Sequence, residues 1–215
     1  MTRFIPRVAV GLLVALLALG APEPALAYLT FGFTVNGHDV TMKWGQMPVR
    51  YYVNNVGTTG VSATDFQAAV ARAFATWQAV PTATISYEFA GYTTSSPGIA
   101  DGQTTLGFLN DPSQNSVLAA TSFLVDNTTG ELVETDIFFN ELFQWSTAAS
   151  GEAGKFDVET IALHEIGHLS GLGHSALGDT VVSGAGRRVL SSGAVMCPVA
   201  LGAGNVSWRT LAPDD

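Results

Sequence analysis

Three of the four histidines in this 215-residue chain fall inside "HEIGHLSGLGHS", at His164, His168 and His174, with Glu165 directly after the first. On a helix, residues four apart are separated by about 400° of rotation, so His164 and His168 project from one face, one turn apart. Two imidazoles so placed can reach one ion. Glu165 lies one position round and faces the same cleft obliquely, where it can serve as a base without ligating. Gly171 lets the chain leave the helix and turn back, so that His174 can supply a third nitrogen. Three protein nitrogens plus one solvent position is the open arrangement of a catalytic zinc. The bland reading of H-E-x-x-H is a polar helix face, but the longer H-E-x-x-H-x-x-G-x-x-H also explains the turn. His38, beside Asp39 and in no motif, reads as a surface residue.

These residues need a helix to carry them. Within "FDVETIALHEIGHLSGLG", Asp157 is a plausible N-cap, Phe156 and Ile161 stand at staple positions, and Gly171 is a natural C′ residue, which predicts a helix over 158–170. Upstream, "VRYYVNN" (49–55) reads as a strand. "SATDFQAAVARAFATWQAV" (62–80) reads as a helix with Phe66, Val70, Phe74 and Trp77 on one stripe, capped by Ser62 or Thr64 and stopped by Pro81. "TATISYEFA" (82–90) alternates like a second strand. Residues 91–116 read as a long loop, 117–140 as a β-hairpin turning at "NTTG", and 175–215 as irregular. Strand, helix, strands, helix, loop is an α+β order, not repeated βαβ.

Composition sets the compartment. The chain is 47% hydrophobic and 13% charged, enough apolar material for a core. Arg3 and Arg7, the apolar run Val8–Leu19 and "ALA" at 25–27 have the build of an export leader, with a run too short to span a bilayer. The expectation is removal of residues 1–27 and a secreted chain starting near Tyr28, extracellular or periplasmic according to the host. Taking Arg3, Arg7 and Glu23 from 9 Lys+Arg and 18 Asp+Glu leaves 7 against 17, a balance that repels nucleic acid and anionic lipid. Cys197 is the only cysteine, so no intrachain disulfide can form. Asn127 in "NTT" and Asn205 in "NVS" match glycosylation acceptors.

The 164–175 stretch resembles the zinc site of the metzincin clan. Met196 in "GAVMCPV" is similar to the methionine of the clan's turn beneath the metal, and Ser175 after the third histidine resembles the matrixin family. No Tyr stands two residues after Met196, unlike clan members with a tyrosine ligand. The likeness is sharp over 157–198 and moderate over 49–145. It implies an α+β, zincin-like catalytic domain over 28–215: a twisted mixed sheet, a long N-terminal helix and an active-site helix. It implies one catalytic Zn²⁺ on His164, His168 and His174, Glu165 as general base, and Met196 as a support. "VLAATSF" is similar to the family's substrate-pairing edge strand, which would make Val117, Leu118 and Ala119 backbone partners of an extended peptide. The implied activity is that of a monomeric secreted endopeptidase acting on protein or peptide substrates.

Departures from the family also carry expectations. Positions that would hold a second, structural zinc have Ala120 and Phe138, so none is expected. The resemblance leaves room for structural calcium at Asn140, Glu141 or the 101–111 loop. Cys197 lies past the active-site residues and is no counterpart of an inhibitory propeptide cysteine. The link from His174 to Met196 is long and is expected to reshape the pocket after the scissile bond. "RTLAPDD" resembles the run into the family's final helix, with Asp214 or Asp215 as its cap; two readings stay open, a helix missing through truncation and a domain that manages without it. Two rivals remain: a zinc-binding but inactive module, and a hydrolase of a non-peptide bond. Glu165 argues against the first.

Overall fold

A computed structural model of the chain describes residues 30–175, 179–183, 186–191, 193–212 and 215; residues 1–27, read as a leader, lie outside them. The strands are β1 (Gly32–Val35), β2 (His38–Thr41), β3 (Lys43–Trp44), β4 (Val49–Asn54), β5 (Tyr87–Thr93), β6 (Thr104–Leu109), β7 (Ala119–Val125), β8 (Glu131–Asn140), β9 (Trp145–Ser146), β10 (Phe156–Asp157), β11 (Asp179–Ser183) and β12 (Gly186–Ser191). Two α-helices, α1 (Ala63–Gln78) and α2 (Val158–Leu169), complete an α+β architecture. The main sheet runs β3-β8-β6-β4-β5 through parallel pairs, and β7 pairs antiparallel with β8, so the sheet is mixed. Among the described residues, no helix is long and apolar enough to cross a membrane.

The core lies between the sheet and the two helices. Phe66, Val70, Phe74 and Trp77 of α1 are all buried, as their spacing requires. Ser62 caps α1 by accepting from the Asp65 N–H at 3.1 Å. Phe66, Phe108, Phe139 and Trp145 form a connected aromatic cluster, with neighbouring centroids 4.7 to 6.1 Å apart, in the range of favourable edge and tilted contacts. Trp77 Nε1 donates to Leu163 O at 2.7 Å and Trp44 Nε1 to Leu169 O at 2.8 Å, which pins α2 from two sides.

Three expectations are corrected. The 91–116 stretch is not one loop, because it holds the end of β5 and all of β6. Thr104 to Phe108 are buried, and a central parallel strand covered on both faces shows no polar alternation. The second strand starts at Tyr87 rather than Thr82. The 175–215 stretch contains the antiparallel β11–β12 hairpin. Before β4, residues 32–41 form a further hairpin, β1–β2, in which His38 is exposed.

Candidate metal centre

Both ends of α2 are built by local chemistry. Asp157 Oδ2 accepts from the Thr160 N–H at 2.8 Å, a standard N-cap bond. At the other end the Gly171 N–H donates to His168 O at 2.8 Å and the Leu172 N–H to Gly167 O at 3.0 Å, the paired bonds of a Schellman turn. Gly171 sits at φ 95°, and a Cβ there would meet Met42 O at 2.9 Å, so only glycine fits. This turn sends the chain back toward α2 and carries His174 to the cleft.

His164, His168 and His174 each place a ring nitrogen within 4.8 Å of the others, so the three can hold a metal ion. His168 Nε2 and His174 Nε2 are 3.2 Å apart. Two nitrogens at about 2.0–2.1 Å from a tetrahedral ion stand about 3.3 Å apart, so the spacing suits zinc. His164 Nδ1 lies 2.7 Å from Val195 O and His168 Nδ1 2.7 Å from Leu172 O. Each carbonyl fixes a hydrogen on Nδ1 and leaves Nε2 bare, the tautomer a metal needs. Burial pushes both imidazoles down to about 4, and it also lowers His174, so the rings are neutral and able to ligate near neutral pH.

Glu165 is buried beside them. Burial raises its carboxyl pKa, against the pull of His168 and of the Thr121 hydroxyl. Thr121 Oγ1, on β7, lies 2.7 Å from Glu165 Oε2 and 3.1 Å from Glu165 O. That contact joins the strand to the acid residue and has no signature in the sequence.

Met196, next to the Val195 carbonyl that holds His164, is fully buried. A Cβ on Gly167 would run into Met196 Sδ and meet Trp77 Cζ2 at 3.0 Å, so a helix glycine is kept to admit the methionine. The Val195 and Met196 N–H groups donate to the Asp215 carboxylate at 2.9 and 3.0 Å. Asp215 thus engages the turn that carries Met196; the capping role of Asp214 lies outside the described residues.

The histidines and Glu165 open into a cleft of about 510 Å³, whose apolar walls include Leu118, Ile161, Cys197, Pro198 and Trp208. Val117, Leu118 and Ala119 line it too. Part of their backbone is already engaged. The Val117 N–H donates to Gln114 O at 3.0 Å, and Leu118 O accepts from the Asn140 N–H at 2.8 Å. Val117 O accepts from Asn140 Nδ2 at 3.2 Å. The same amide also donates to Gln114 O at 2.9 Å, so Asn140 ties this loop together through its side chain. Ala120 and Phe138 stand opposite each other across β7 and β8 as an apolar pair. In the 101–111 region, Glu134 and Asp136 accept backbone N–H bonds from Asp101, Gly102, Gly98 and Thr105. Burial, with the Glu134 and Asp101 charges adding, lifts Asp136 to about 6.

An ion network reaches the helix start from the far end of the chain. Arg209 Nε donates to Asp157 Oδ2 at 2.9 Å, its Nη2 to Asp157 Oδ1 at 2.5 Å, and its guanidinium also donates to the carbonyls of Ala148 and Ala149. Arg72 of α1 donates to Glu159 Oε2 at 2.6 Å.

No curated protein matches the chain. The family model described as Matrixin matches residues 43–185, more than half of the sequence and all of the site from β7 through His174. The chain belongs to the matrixin family of metallopeptidases.

Proposed function

We propose that the protein is a secreted, zinc-dependent endopeptidase of zincin-like fold that hydrolyses peptide bonds with water. The observation that carries this reading is the convergence of three neutral imidazoles beside a buried carboxylate, all lining one cleft. His164, His168 and His174 would hold the ion. Zinc held there supplies Lewis acidity, polarising the scissile carbonyl and lowering the pKa of solvent toward about 7. Glu165 takes the proton of the attacking water and passes it to the leaving amine. A carboxyl raised by burial is the better matched to both roles, since it must accept and then donate near neutral pH. Thr121 orients that carboxylate through Oε2. Val195 O and Leu172 O hold two ligand rings in register, and Met196, packed at Gly167 between the two helical histidines, would support them.

Glu165→Gln keeps the shape of the side chain and removes the base. The expected result is one zinc per chain, as in the wild type, with peptide hydrolysis reduced at least about a thousandfold. Wild-type turnover in this variant would overturn the assignment. A wild-type protein that binds zinc and cleaves no casein or peptide library would instead be an inactive binding module. Export is read out separately: the mature chain is expected to begin near Tyr28.

A further inference from the structure

We propose that Phe31 is a specificity-determining residue: together with Phe123 it forms an aromatic wall that receives an apolar side chain of an extended peptide, on the His168 side of the scissile bond. The inference deepens the endopeptidase reading and rests on it.

Phe31 lies before residue 43, where the family match begins, on the segment that leads into the β1–β2 hairpin. Its backbone is stitched to the ligand-bearing turn. The Phe31 N–H donates to Gly171 O at 2.8 Å, Phe31 O accepts from the Met42 N–H at 2.8 Å, and Thr30 bridges to Leu172. The residues so contacted, Gly171 and Leu172, form the turn that directs His174. The ring is therefore held by the same backbone that shapes the metal site.

The Phe31 ring lines the cleft, half-buried, with its centroid 5.2 Å from Phe123 in an edge contact and 5.4 Å from His168. Phe123 is two residues beyond Thr121 on β7, so both side chains lie on one face of the strand. Thr121 touches Glu165, which marks the reacting position. Two strand residues span about 7 Å, the repeat at which an added peptide strand projects side chains to one face. Among the described residues β7 pairs only with β8, so its outer edge is open to such a strand. The wall thus stands one side-chain repeat from the chemistry, beside His168 and about two helical turns along α2 from Ile161. It carries no charged group to favour a polar occupant.

The competing role is a mere cover over His168, and metal content separates the two. Cleavage of a peptide library by the full chain is expected to show an apolar preference at one position on the His168 side. In Phe31→Ala the apolar-to-glycine ratio of kcat/KM at that position should fall about tenfold, mostly through KM. Zinc content and the preference on the other side of the bond should stay as in the wild type, and Phe31→Leu should recover most of the ratio. An unchanged profile overturns the proposal, as does zinc loss with an even fall across all peptides. If the wild type cleaves nothing, the endopeptidase reading fails by itself. The wall is then judged by calorimetry on zinc-loaded Glu165→Gln. Peptides bearing Phe or Leu should bind about tenfold more weakly once Phe31→Ala is added, and equal binding overturns the wall.

Discussion

The Met196 N–H donates to the Asp215 carboxylate at 3.0 Å, beside the Val195 N–H at 2.9 Å, while Val195 O accepts from His164. The carboxylate of the last described residue is therefore two links from one of the three imidazoles that can hold an ion. Val195 and Met196 are fully buried, so Asp215→Ala leaves two buried N–H groups without an acceptor. The expected cost is about 2–3 kcal/mol of stability and about tenfold in zinc affinity. Chelator competition and a urea titration measure the two. Asp215→Asn, which keeps one acceptor oxygen, should fall between.

Arg209 and Arg72 contact the first turn of α2 with unequal weight. Arg209 is largely covered and meets an Asp157 side chain that is 2% exposed, whereas the Arg72 side chain is half exposed. Arg209→Met strands a buried carboxylate and should cost about 3 kcal/mol. Arg72→Met should cost about 1 kcal/mol or less. Equal losses in denaturant unfolding would refute the ranking.

Gly167→Ala sets two effects against each other. Alanine gains about 1 kcal/mol of helix propensity, but its methyl collides with Met196 Sδ and crowds Trp77. Overpacking of this kind costs about 1–3 kcal/mol. The variant should be less stable than the wild type and hold zinc less tightly. A more stable variant would mean that Met196 has room to move.

Acid should destabilise the metal-free protein. His164 and His168 are pushed down to about 4 from an ordinary value of 6.5, so the folded state binds fewer protons than the unfolded chain. Their contribution to stability is complete above about 6.5 and is lost as the pH falls through 4. In excess chelator, the urea midpoint should drop between pH 7.5 and pH 5; a flat midpoint would contradict the burial of these rings.

The parts of the site that were legible in the sequence are those fixed by local rules. Asp157 and Gly171 mark the ends of α2 because caps and turns depend on neighbours three or four residues away. The histidine spacing is legible for the same reason. What was hidden depends on distant contacts: Thr121 on Glu165, Arg209 on Asp157, Asp215 under Met196, and Phe31 against His168. No periodicity records these pairs. The strand β6 does not stand out in the sequence because its residues are buried on both faces, and a run such as "TTLGFL" then lacks the alternation that announces a strand. The role of the Asn140 amide, which ties the 114–117 turn by hydrogen bonds, is likewise a matter of distant contacts that residue type does not record.

The open side of β7 has a cost for the molecule itself. Among the described residues β7 pairs only with β8, so its other edge offers backbone donors and acceptors to an extended segment, including an unfolded copy of the same chain. Leu124, exposed on that strand, adds apolar surface to the invitation. On the proposed reading self-association and substrate capture would compete for one edge, so crowding at high concentration would lower peptide hydrolysis before the protein precipitates.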